Sequence, residues 1–130
     1  MESAVNNYKI LVIEDDQYLH KAIAAKLELE GFNVLSAYDG KEGLDQAIAN
    51  HPDLILLDII LPVKDGMTVL EELRKDEWGA KADVIILTNL SGAEKDTKIE
   101  ENRVREFLVK SDWKLEDLVA LIRQRLVEQS

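Results

Sequence analysis

Residues 51–62 read HPDLILLDIILP, and the rest of the chain is organised around them. Leu54-Ile55-Leu56-Leu57 is a continuous apolar run, too short for a helix and bounded by Pro52 and Pro62, which predicts a strand buried on both faces. The run ends on Asp58. A carboxylate directly after a buried strand is unfavourable unless something pairs with it or coordinates it, because an isolated ion is poorly stabilised in a low dielectric. Partners for Asp58 are therefore expected at the ends of other strands.

Three further apolar runs supply those ends. Ile10-Leu11-Val12-Ile13 ends in Glu14-Asp15-Asp16, Val84-Ile85-Ile86-Leu87 ends on Thr88, and Phe107-Leu108-Val109 ends on Lys110. A less apolar strand over 32–37 is expected nearer a sheet edge. Between the strands, helical spacing places Leu19, Ala22, Ile23 and Leu27 on one helix before Gly31, and Leu44, Ala47 and Ile48 on a second after Asp39-Gly40. A third helix starts at Gly66 with Met67, Leu70 and Leu73 inward and runs to about Asp76. A fourth, over 92–102, is highly charged. The last carries Leu115, Leu118, Val119, Ile122 and Leu126, with Ser111 or Asp112 as its cap. Five strands alternating with five helices predict an α/β fold, a parallel sheet covered on both faces, with ligands at the carboxyl ends of the strands.

Composition narrows the function. The 130 residues fit one domain, residues 1–8 forming a flexible lead and 9–129 the folded unit. Zero cysteines exclude a disulfide framework and thiolate metal sites. No stretch has the length of a membrane span, and the first residues lack a secretory pattern, so a cytoplasmic protein is expected. The net charge of -10 opposes direct contact with a nucleic-acid backbone.

Gathered on one rim, Glu14, Asp15 and Asp58 form an all-oxygen set suited to a hard cation, and Mg²⁺, with few protein ligands and retained waters, fits best. Thr88 and Lys110 add a hydroxyl and a positive charge of the kind that hold phosphoryl oxygens. Asp58 is then the nucleophile that forms an acyl phosphate. Taken singly, Thr88 and Lys110 read as a strand-end hydroxyl and a surface charge. His20 and His51 read as solvated or locally paired, and Trp78 and Trp113 as packing or surface-groove residues.

The motifs ILVIEDD at 10–16, PDLILLDIILPVKDG at 52–66, VIILTNL at 84–90 and FLVK at 107–110 together resemble the response-regulator receiver domains of two-component signalling, over residues 9–128. The resemblance implies a flavodoxin-like (βα)5 sheet of five parallel strands in the order 2-1-3-4-5. It also implies Asp58 as phosphoacceptor and Glu14, Asp15, Asp58 and the Ile60 carbonyl as Mg²⁺ ligands, with strand one ending too early for Asp16 to replace them. Thr88 and Phe107 become the switch residues and Lys110 the salt-bridge partner. The implied protein is a signalling switch that catalyses only its own phosphorylation and slow dephosphorylation. A sensor histidine kinase or histidine phosphotransfer protein would be the donor. The face of the fourth helix, fifth strand and fifth helix would bind a downstream partner.

Several positions depart from the family pattern. Ser111 stands where proline usually follows the lysine, and a trans Lys110–Ser111 bond is expected because a non-proline cis bond costs about 2.5–4 kcal/mol. Asn89 is bulkier than usual, and Arg103-Val104 replaces small residues. Ile60 and Leu90 offer no group to orient an attacking water, which predicts slow self-hydrolysis. The competing readings are an aspartate-nucleophile phosphohydrolase, which needs a second acid where Ile60 stands; a flavin module, whose phosphate Glu14-Asp15-Asp16 would repel; and a phosphorylation-deficient scaffold.

Overall fold

The apolar run at 54–57 is the middle of the sheet. A computed structural model of the chain describes residues 8–88, 101–104, 106–109 and 113–129. Its elements are β1 (Lys9–Ile13), α1 (Gln17–Leu29), β2 (Asn33–Ala37), α2 (Gly40–Asn50), β3 (Leu54–Asp58), α3 (Gly66–Lys75), β4 (Val84–Thr88), β5 (Glu106–Val109) and α4 (Leu115–Gln129). A single 3₁₀ turn, Gly79–Lys81, precedes β4. The sheet order is β2-β1-β3-β4-β5 and each pairing is parallel. The expected doubly wound sheet is thus present, with the less apolar β2 at an edge. The expected helix over 92–102 (save its described residues 101 and 102), the cap at Ser111 or Asp112, the Lys110–Ser111 bond, Asn89, Leu90 and most of the lead over 1–8 lie outside the described residues.

Continuous apolarity in β1, β3 and β4 follows from burial on both faces, because successive side chains point to opposite sides. Leu11, Ile13, Ile55, Leu57, Val84 and Ile86 pack on one side with Leu44 and Ala47 of α2 and Val69, Leu70 and Leu73 of α3. Ile10, Val12, Leu54, Leu56, Ile85 and Leu87 pack on the other with Ile23 and Leu27 of α1 and Leu118, Ile122 and Leu126 of α4. Each apolar residue of these three strands therefore belongs to one of two cores. Register is tightly specified, since a one-residue slip would exchange them.

The helices depart from their expected stripes where the backbone comes close to the sheet. In α2, Ile48 is exposed and Gly40 and Gly43 face inward instead. A Cβ on Gly43 would lie 2.6 Å from Ile13 Cδ1, so any larger residue would force the buried Ile13 side chain to shift. In α3, Met67 is half-buried and Val69 takes its place, giving the inward set Gly66, Val69, Leu70 and Leu73. Ala22 of α1 is exposed, Leu19 half-buried and His20 buried. Leu115 is half-buried, and α4 buries Arg125 instead, whose guanidinium forks onto Asp83 at 2.7 and 3.1 Å. Among the described residues no helix is long and apolar enough to cross a membrane.

Candidate functional site

Two strand ends meet at the carboxyl rim. Carboxylate oxygens of Glu14, Asp15 and Asp58 all lie within 4.8 Å of one another. Adjacent pairing of β1 and β3, with Ile13 opposite Leu57, brings the residues that follow to the same level. Glu14 is 1% exposed and Asp58 5%, while Asp15 faces solvent. Water therefore screens the two inner charges poorly, and a cation is the natural counterpart. The donors are all oxygen, which suits a hard cation and fits the expected ion.

The loops around the cluster are held by short-range bonds. Asp16 is committed elsewhere, because its carboxylate caps α1 by accepting from the Tyr18 and Leu19 N–H groups at 3.0 and 3.1 Å. Its own N–H donates to Glu14 Oε2 at 3.0 Å. The Ile60 N–H donates to Asp58 Oδ1 at 3.2 Å, folding the following loop over the carboxylate. Ile60 itself is exposed.

That loop is anchored at Gly66, whose N–H donates to the Ile59 carbonyl at 2.7 Å. A Cβ there would lie 2.2 Å from the Asp58 carbonyl oxygen, so the helix start and the strand end touch through backbone. Asp65 caps α3 through the Thr68 N–H and hydroxyl at 3.1 and 3.0 Å. These hydrogen bonds, that from the Thr68 N–H foremost, hold its carboxyl below the ordinary 3.8. The start of this helix was expected at Gly66 without Asp65 being named as its cap, although an aspartate just before a helix start is a signal for one.

His20 was not expected at the site. Its Nδ1 lies 2.8 Å from the Glu14 carbonyl oxygen and its ring stacks on Tyr38 with centroids 4.1 Å apart. It is locally paired rather than solvated, and burial lowers its pKa below 6.5. His51 is exposed but stacked on Trp78 at 4.5 Å, far from the cluster, and Trp78 and Trp113 each pack against one core. Thr88 closes β4 opposite Val109 of β5. The Thr88 hydroxyl, the Phe107 ring and Lys110 lie outside what is described.

Comparison with known proteins agrees with this geometry. The family described as "Response regulator receiver domain" matches residues 10–123. The chain is 35% identical over 118 residues to the DNA-binding dual master transcriptional regulator RpaA of Synechocystis sp., covering 91% of this chain and 48% of RpaA. It spans about half the length of the curated relatives it matches. The receiver domain of the Francisella response regulator 1452 superposes with a TM-score of 0.85 at 29% identity, covering 95% of this chain and all of that one. The receiver domain of the sensor histidine kinase PA1611 from Pseudomonas aeruginosa, solved with a magnesium ion in its active-site cleft, superposes with a TM-score of 0.81 at 28% identity, covering 92% and 97%. With this sheet order, this carboxylate cluster and a family match over nearly its whole length, the chain belongs to the response regulator receiver domains of two-component signalling.

Proposed function

We propose that Asp58 is the phosphoacceptor of this receiver domain. The supporting observation is the meeting of Glu14, Asp15 and Asp58 at the end of the central strand. A carboxylate oxygen of Asp58 attacks the phosphorus of a phosphohistidine on a sensor histidine kinase or histidine phosphotransfer protein. The P–N bond breaks, the imidazole leaves with its electron pair and takes up a proton, and an acyl phosphate forms. Glu14, Asp15, Asp58 and the Ile60 carbonyl would hold Mg²⁺, which supplies charge neutralisation at the phosphoryl oxygens. The magnesium seen in the PA1611 receiver supports that assignment.

The chain's own residues position and hold. Glu14 is held by burial and by the Asp16 N–H, and one carboxylate oxygen of Asp58 accepts from the Ile60 N–H. Thr88 and Lys110 would hold the phosphoryl oxygens. Phe107 would follow Thr88 as the face of the predicted fourth helix, β5 and α4 changes its affinity for a downstream partner. Phosphorylation drives that change only through contacts that differ between the two packings. The receiver unit would span 9–129, with 1–8 as a lead.

Intact-mass measurement after incubation with Mg²⁺ and a small phosphoryl donor tests this reading. The mass of one phosphoryl group is expected on the wild type and none on Asp58→Asn. Equal labelling of both proteins would refute the assignment. Continuous turnover of phosphate esters would indicate a phosphohydrolase instead.

A further inference from the structure

At the end of the sheet opposite the acidic cluster, the N-terminal ends of β3 and β4 open into a cavity of about 550 Å³. That volume accommodates a small organic ligand. Four cationic side chains, Arg74, Lys81, Arg103 and Arg125, and two acidic ones, Asp53 and Asp83, line it. The charge excess is positive in a chain whose net charge is -10. Both acids are engaged, since Asp53 accepts the Lys9 N–H at 2.8 Å and Asp83 takes the fork of Arg125.

Three of the cations have no carboxylate at salt-bridge distance among the described residues. Arg74 donates only to the backbone carbonyls of Asn102, Gly79 and Ala82, at 2.7, 2.8 and 2.7 Å. Burial foremost, and the neighbouring Arg103 charge, hold its guanidinium below its ordinary value against the attraction of Asp83. Arg103 donates to the Ala80 carbonyl at 3.2 Å, and Lys81 is exposed.

The same cavity has an aromatic wall. The His51 and Trp78 rings are stacked within 4° of parallel, and His51 is exposed. Three non-glycine residues have positive φ among those described, and two of them, His51 at 48° and Arg103 at 62°, line this cavity. At His51 this conformation ends α2, its N–H donating to the Ala47 carbonyl, and it leaves the ring at the helix end beside Trp78.

We propose that this cavity binds a nucleoside phosphate, its phosphate held by Arg74, Arg103 and Lys81 and its base placed against the His51–Trp78 wall. Guanidinium groups match phosphate geometry, and base stacking on aromatic rings adds affinity without needing a particular base. The site is separate from the phosphoacceptor cluster, so the proposal does not depend on the role of Asp58.

The test uses fluorescence of Trp78 in a Trp113→Phe background, titrated with adenosine monophosphate, guanosine monophosphate, adenosine and inorganic phosphate. Saturable quenching by a nucleotide is expected, with adenosine and inorganic phosphate each at least about tenfold weaker. Arg103→Gln should weaken nucleotide binding about tenfold, the loss of one charge-assisted bond, while its urea midpoint stays near that of the parent. Arg74 is left intact because it joins three backbone carbonyls and its loss would disturb folding. No saturation at millimolar nucleotide, equal binding of inorganic phosphate or adenosine, or unchanged affinity in a folded Arg103→Gln protein would each overturn the proposal.

Discussion

Asp58→Asn should stabilise the metal-free protein, and the gain should disappear as Mg²⁺ is added. Asp58 and Glu14 are buried with carboxylate oxygens within 4.8 Å. At that separation two unit charges repel by about 3.5 kcal/mol with an effective dielectric of 20, and by about 0.9 kcal/mol in water. The exposed Asp15 is screened and adds little. Against this, the substitution weakens charge-assisted hydrogen bonds to Asp58, including that from the Ile60 N–H, worth about 1.5–3 kcal/mol. The net expectation is a stabilisation of about 0.5–2 kcal/mol.

Metal binding works the other way. It stabilises only the protein that binds, by about 2.7 kcal/mol at a hundredfold excess over Kd. Urea denaturation of both proteins, in chelator and across a Mg²⁺ series, reads the difference directly. The midpoint of the variant should lie above the wild type in chelator and at or below it in saturating Mg²⁺. If Asp58→Asn were less stable in chelator and the gap ignored Mg²⁺, the three carboxylates would not form one electrostatic unit, and the reading of the site would fail.

Other consequences follow from particular contacts. Asp83→Ala should cost about 3 kcal/mol by urea denaturation, because it leaves the Arg125 guanidinium buried with Glu128 as its remaining ion-pair partner among the described residues; Asp83→Ala with Arg125→Met should recover most of that loss. Gly66→Ala should destabilise by about 1–3 kcal/mol, since its Cβ would press on the Asp58 carbonyl and displace the loop that carries Ile60. Asp65 has a lowered folded pKa, so its stabilisation is complete above the ordinary 3.8 and is lost as pH falls through the folded value. Asp65→Asn keeps the cap, and its stability deficit against the wild type, measured by thermal melts, should be constant at neutral pH and shrink in that acid window. Ile60→Asn should speed loss of the phosphoryl group about tenfold, read by following the phosphorylated mass with time; an unchanged rate would remove the hydrolysis argument.

Legibility divides along physical lines. Apolar runs reveal strands because burial on both faces tolerates no polar residue, so β1, β3 and β4 and the carboxylates at the ends of β1 and β3 could be read directly. The inward faces of the helices were less legible. Periodicity ranks residues by hydrophobicity, whereas Gly40 and Gly66 face inward because another stretch of backbone lies too close for a side chain, and Gly43 because the Ile13 side chain does.

By itself the sequence determined the class of fold, the edge position of β2 and the acidic character of the site, since these depend on the composition of short segments. Only the tertiary structure decided which carboxylates converge. Glu14, Asp15 and Asp16 are consecutive and chemically alike, yet Asp16 turns away to cap α1 while the other two meet Asp58. It also decided that His20 closes over the Glu14 carbonyl and that Arg74, Lys81 and Arg103 share one cavity. The physical reason is the same in each case. Convergence depends on strand register and helix placement across the chain, and local spacing carries no information about either.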